Sequence, residues 1–224
     1  MRAVVRHEYG DTSVLGVEEI DEPEAEPGTV VVEVAAAGVN MAEWHMMSGE
    51  PTMMRLVTGL RRPKRPGLGQ DVAGIVASVG PGVESFAVGD HVFGSARASW
   101  ATLASASADL LQPVPPGVSL TQAAAVPMPG YTALQALRAA GALAGKSIAI
   151  TGAGGGVGSY AVQLAAKRGA HVTQFAARQR RHSSVISAPT MSSTTRPPTR
   201  LREVSASMPS WTSLVACPCR TGVV

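Results

Sequence analysis

Cysteine is nearly absent. The 224 residues contain two, Cys217 and Cys219, so the first 173 residues hold no thiol and can form neither a disulfide nor a Cys-ligated zinc site. Long apolar runs are absent too. No stretch approaches the roughly 18 residues that a membrane span needs, so no membrane partner is expected. The start, Met1-Arg2-Ala3-Val4-Val5-Arg6-His7-Glu8, meets charge too soon for a secretory segment, and a cytoplasmic location is expected. Aromatics make up 4% of the chain and charged residues 16%. What is plentiful is apolar side chain, at 45%, together with 24 Gly and 16 Pro. That is enough for one large domain or two small ones with a core, and it excludes collagen-like and wholly disordered chains.

Acid is missing from one end only. Residues 1–173 hold 12 Lys and Arg against 15 Asp and Glu, whereas residues 174–224 hold seven Arg and one acid, Glu203. The formal net charge of +3 therefore belongs to the last 51 residues. A nucleic-acid partner would require cations on a folded face. The part with a folding pattern is mildly acidic, so no nucleic acid is expected.

Residues 1–110 read as β-rich. Thr29-Val30-Val31-Val32-Glu33-Val34, Asp71 to Gly80 and Gly89 to Gly94 are short β-branched or apolar runs punctuated by Gly and Pro. They predict a partly closed antiparallel barrel. The acidic stretch Glu18 to Glu26 is read as a solvated strand edge or loop. Arg61-Arg62-Pro63-Lys64-Arg65-Pro66 is read as an exposed loop, with a position near an anionic cofactor as the alternative. The pattern changes after Pro115-Pro116-Gly117. Ser119-x-x-Gln122 has capping-box spacing and an Ala-rich helix follows, interrupted by Pro127 and Pro129. A second helix, from about Thr132 to Ala140, ends at Gly141 as C-cap.

Ser147-Ile148-Ala149-Ile150-Thr151 is a buried-strand run. It ends in Gly152-Ala153-Gly154-Gly155-Gly156-Val157-Gly158, and a helix follows with Val157, Ala161, Leu164 and Ala165 on one face. His171-Val172-Thr173 starts another strand, giving the beginning of a βαβ unit. A strand that runs through glycines into a helix makes a phosphate site, because backbone N–H groups and the helix dipole face the anion. The strict G-x-G-x-x-G is absent. Gly152-x-x-Gly155-x-x-Gly158 stands in its place, and a purely structural turn is the competing reading.

Several motifs, in order, resemble the zinc-independent branch of the medium-chain dehydrogenase/reductase superfamily, the quinone oxidoreductase and enoyl reductase group. They are Gly38-Val39-Asn40, then Gly69 to Val76 with Val79 to Val83, Phe86 and Gly89 to Gly94, then Pro129-Gly130-Tyr131-Thr132-Ala133-Leu134, then Gly155 to Gly158 with Ala161 to Ala165. The resemblance covers about residues 1–173. It implies an α+β then α/β fold: a GroES-like, partly open β-barrel over 1–118 and a partial Rossmann dinucleotide-binding domain over 119–173, followed by a tail over 174–224. It implies an NADPH cofactor, with NADH possible, and a small-molecule substrate. It implies a homodimer for a full-length relative, whose dimer surface falls largely in the part the tail replaces. Zinc-dependent relatives have Cys at the place of Asn40 and a His-Glu pair at Gln70-Asp71, so no metal is expected. Hydride addition to a quinone or an α,β-unsaturated carbonyl fits a zinc-free site better than reduction of an alcohol or aldehyde, the alternative within the superfamily. An inactive, truncated GroES-like fragment is a further alternative.

The resemblance also implies roles. Asn40 is a neutral hydrogen-bond donor near the nicotinamide or the substrate carbonyl, or else a turn residue after Gly38. His45 stands where several relatives carry a Tyr that orients substrate or delivers a proton; a surface-helix or packed histidine is the other reading. Asp71 ties down barrel backbone. Thr132 lies beside the cofactor, and Gly152, Gly155, Gly156, Val157 and Gly158 line the pyrophosphate. Met41, Trp44, Met46 and Met47 form an apolar substrate wall or simply pack the core.

After Thr173 the family pattern stops. One reading is a disordered extension; a sharper one is a one-nucleotide frameshift. Shifting each codon by a base lets Ser187 to Thr195 encode G-A-D-H-V-I-D-Y and Ser205 to Ala216 encode G-V-D-A-V-L-D-L-V-G-G, two family segments in the right order. Met208-Pro209 then forces Ala and Trp211-Thr212 forces Asp, and both agree. On that reading the arginines Arg178, Arg180 and Arg181 have no role, and the 224 residues fall short of the roughly 310–340 expected of the family. Weak or absent NADPH binding is then expected, and cofactor fluorescence reporting micromolar affinity would contradict it.

Overall fold

The computed structural model describes residues 1–175, which form two compact units dividing between Met128 and Pro129. The readings placed on residues 176–224 lie outside the described residues.

The first unit is built on antiparallel strands. β1 (Arg2–Val5) and β2 (Gly16–Glu19) pair as a ribbon. β3 (Thr29–Ala37) leads through the helices α1 (Met41–Ser48) and α2 (Arg55–Thr58) to β4 (Asp71–Val79). β5 (His91–Ser95), β6 (Leu103–Ser107) and β7 (Leu111–Pro113) complete a five-stranded sheet of order β6-β3-β4-β5-β7. Bridges Ala3↔Ala101 and Val5↔Gly67 join the ribbon to this sheet's connections. Pro113, which cannot donate to a ladder, sits in the edge strand β7.

The core of this unit is aliphatic. Val30, Val32, Val72, Val76, Val92, Ala104, Ala106 and Leu111 are buried together. Each valine side chain removed from water contributes on the order of 1.5–3 kcal/mol. Two register shifts, at Val31/Val32 and Val34/Ala36, bend β3 against β4. Gly74 allows the strands to close: a Cβ there would lie 2.0 Å from the Glu33 carbonyl oxygen.

The short helix α3 (Leu120–Ala124) is capped as expected, with the Ser119 and Gln122 side chains each bonding the other residue's backbone N–H. It packs Ala123 and Ala124 against Ala73 of β4. The compact unit that contains this contact runs to Met128.

Helix α4 (Pro127–Ala139) straddles the division. The Ala-rich helix α3 ends at Ala124, ahead of the two prolines, in line with the sequence reading, but the second helix starts at Pro127 and not at about Thr132. Pro127 and Pro129 occupy its first turn, where a missing N–H breaks no intrahelical bond and the fixed φ suits the helix. Gly141, at φ 82°, ends it. In the second unit β8 (Ser147–Thr151), α5 (Gly156–Lys167) and β9 (His171–Phe175) form the βαβ unit. β8 and β9 are parallel, in register from Ser147↔His171 to Thr151↔Phe175. The strand therefore runs two residues past Thr173. Its core joins Leu137, Leu143, Ala165, Ala166, Ala170 and Val172.

Candidate functional site

In the first unit, Asn40 is the N-cap of α1, with extended backbone. Its backbone N–H donates to Glu43 Oε2 at 2.8 Å. Its side-chain Nδ2 donates to Asp71 Oδ2 at 2.9 Å. Asn40 is thus held from two sides by two buried carboxylates, each 1% exposed. With one amide proton on Asp71, the Asn40 side chain keeps a second N–H available.

Asp71 gathers more than Asn40. Both of its carboxylate oxygens accept from the Met128 backbone N–H, at 3.0 and 3.1 Å, in the first turn of α4. Its own carbonyl accepts from the Gly38 N–H at 3.1 Å and from the Ser99 hydroxyl at 2.9 Å. Trp100 Nε1 donates to the Gly38 carbonyl at 2.9 Å. Burial raises the Asp71 pKa, opposed by the hydrogen bonds from Asn40 and Met128. Burial also raises that of Glu43; the Asn40 hydrogen bonds oppose this and the neighbouring Asp71 charge adds to it. Glu43 Oε1 is buried without a hydrogen-bond partner.

His45 lies on the same helix, half-buried. Its Nδ1 donates to the Glu50 carbonyl at 2.7 Å, since a carbonyl only accepts. This fixes the neutral tautomer and leaves Nε2 as the free ring nitrogen. Trp44 meets the His45 ring edge-on at 5.1 Å. Gln70 faces Met46, with Nε2 3.7 Å from Sδ. Met47 is core and 4% exposed, whereas Trp44 is 43% exposed. Among the described residues no group of three or more His, Cys, Asp or Glu is arranged to hold a metal ion.

The second unit holds the glycine turn. Gly152 has φ 67°, a left-handed conformation. Gly155 N–H closes the turn on the Gly152 carbonyl at 2.9 Å and serves as N-cap of α5 without any side-chain acceptor. The amides of Gly156, Val157 and Gly158 open the helix, where no intrahelical carbonyl precedes them. A Cβ on Gly158 would meet the Gly152 carbonyl oxygen at 2.1 Å, so the helix start can approach the strand end only because residue 158 is glycine. Thr132 is exposed on α4.

The structure brings Asn40 and Asp71 together and keeps His45 on the same short helix. Four participants were missed: Glu43, Ser99, Trp100 and the Met128 amide. Glu43 had a signal, since Asn40-x-x-Glu43 has capping-box spacing. The others are contacts across long stretches of sequence and carry none.

Residues 26–117 match the family model for the alcohol dehydrogenase GroES-like domain. The rat quinone oxidoreductase is 36% identical over 177 residues, covering 77% of this chain and 51% of that protein. Among solved structures, the CurK enoyl reductase superposes with a TM-score of 0.73 at 26% identity, covering 79% of this chain and 54% of that one. The Escherichia coli quinone oxidoreductase, solved with NADPH, gives 0.68 at 28% identity, covering 78% and 52%. The chain spans about half the length of these relatives.

Proposed function

We propose that the chain is a medium-chain dehydrogenase/reductase akin to the quinone oxidoreductases and enoyl reductases it resembles, and that its residues serve NADPH-dependent, zinc-free reduction of a quinone or an α,β-unsaturated carbonyl. The observation that carries this reading is the Asn40–Asp71 hydrogen bond. It holds a neutral amide where zinc-dependent relatives have a ligand, and it leaves one N–H for an acceptor oxygen. The glycine turn fits a dinucleotide, because the α5 amides are free of side-chain caps and Gly154, Gly155 and Gly156 put no side chain between them and a pyrophosphate. Gly152, Gly155, Gly156, Val157 and Gly158 would hold that group, with Thr132 beside it.

Bound NADPH would supply the hydride. Asn40 then donates its second amide proton to the substrate carbonyl oxygen, where negative charge gathers. His45 Nε2, aimed by the Nδ1–Glu50 bond, relays to the substrate a proton that it first takes up from solvent, which completes the reduction. A conjugated substrate disperses charge by itself, so a neutral amide donor suffices where an isolated aldehyde needs a Lewis acid. Gln70, an amide in place of a histidine ligand, supports the same zinc-free reading.

The test is NADPH oxidation by the purified chain with benzoquinone, a simple enone and benzaldehyde as competing acceptors. With residues 174–224 out of frame only slow turnover at high NADPH is expected, quinone or enone above aldehyde, and the same order at a higher rate once the family's reading frame is restored. Preference for the aldehyde would favour an alcohol or aldehyde reductase. A folded barrel with no turnover of any acceptor would favour a fragment without catalysis.

A further inference from the structure

The segment after α1 is built inside out. In α2 the polar residues face inward and the apolar ones face water. Arg55 donates from Nε to the Gly49 carbonyl at 3.1 Å and stacks over the Tyr9 ring at 4.6 Å. Thr58 Oγ1 lies 2.7 Å from the Tyr9 hydroxyl, which also donates to the Gly59 carbonyl at 2.7 Å. Outside stand Met53, Leu56, Val57 and Leu60, at 70, 69, 77 and 69% exposure. An amphipathic element in a soluble protein normally places these the other way round.

The lobe is also held in shape. Lys64 N–H returns to the Thr58 carbonyl at 2.8 Å, and Gly59, at φ 128°, has the Arg62 carbonyl oxygen 2.0 Å from where a Cβ would stand. This tight return sets Arg61, Arg62, Lys64 and Arg65, all exposed, directly after the apolar side chains. No acid occurs between Glu50 and Asp71. Among the described residues none of these four cations makes an ion pair.

We propose that residues 51–66 form a docking face for an anionic lipid surface. Met53, Leu56, Val57 and Leu60 enter the boundary between headgroups and acyl chains, and Arg61, Arg62, Lys64 and Arg65 hold the anionic headgroups. Charge complementarity selects this occupant. A second copy on a two-fold axis would bring the four cations of one chain toward those of the other. A small soluble anion would leave the apolar side chains uncovered. The expectation of no membrane partner rested on the absence of a spanning run, and peripheral docking requires none.

The test is co-sedimentation of the full chain with vesicles of phosphatidylcholine alone and of phosphatidylcholine mixed equally with phosphatidylglycerol. Binding to the mixed vesicles only, weakened by salt, is expected. Replacing Arg61, Arg62, Lys64 and Arg65 together by Gln lowers the partition coefficient about 100-fold or more. Leu56→Asp with Val57→Asp lowers it about tenfold or more. These side chains are exposed, so the thermal midpoint stays where it is, and Leu60→Ser serves as a milder substitute if it does not. Equal binding to neutral vesicles overturns the proposal, as does no binding at low salt. Undiminished binding by the variants also overturns it, since cations elsewhere, such as the seven arginines of residues 174–224, would then be the cause.

Discussion

The two units solve the same problem to different extents. In the first, β3 and β4 lie inside a sheet of five strands, and Val30, Val32, Val72 and Val92 are wholly shielded from water. In the second, the described sheet has two strands. There β8 reads exposed, half-buried, exposed along its length, so Ile148 and Ile150 reach only partial burial. Parallel strands of this type ordinarily have both faces covered. The same residue types therefore hold one unit firmly and the other loosely: burial, not composition, sets the strength.

Backbone amide exchange should show this most strongly. The β3 and β4 amides should exchange at least about 100-fold more slowly than those of β8 and β9; equal protection would break the contrast. Truncations come next. Leu111→Ala should cost about 3 kcal/mol in urea denaturation, while Ile148→Ala should cost about 1 kcal/mol. Asp71→Ala removes the acceptor of Asn40 and of the Met128 amide, and should cost about 2–3 kcal/mol in the barrel transition alone.

The smallest effect is electrostatic. Glu43 and Asp71 have pKa values raised by burial, so the folded barrel holds their protons more tightly than the unfolded chain does. Their contribution is fully present below the ordinary carboxylate range and is lost as pH rises through the raised folded values. The stability of Glu43→Gln relative to the wild type should therefore increase from about pH 4 to pH 7. A pH-independent difference would show that Glu43 does not titrate between the two states.

What the sequence made legible follows from locality. β3, β4, β5, the Ser119 cap and the glycine turn are each signalled within a few residues. β6 and β7 were not, because Leu103-Ala104-Ser105-Ala106-Ser107 and Leu111-Gln112-Pro113 lack β-branched residues and owe their state to their neighbours. The start of α4 was placed late, because Pro127 and Pro129 signal the end of the preceding helix and equally suit the first turn of the next. Asn40 and Asp71 were both singled out, but separately. Their bond spans 31 residues, and no spacing rule announces it.

The edge-on contact of Trp44 with His45 gives the chain an optical reporter of its own. Indole emission depends on what packs against the ring. Steady-state emission, compared between the wild type and Trp44→Phe, therefore isolates a signal from this one helix and reports whether the Trp44–His45 contact is kept. A rearrangement of α1 can be followed by light, with no cofactor added and no turnover required.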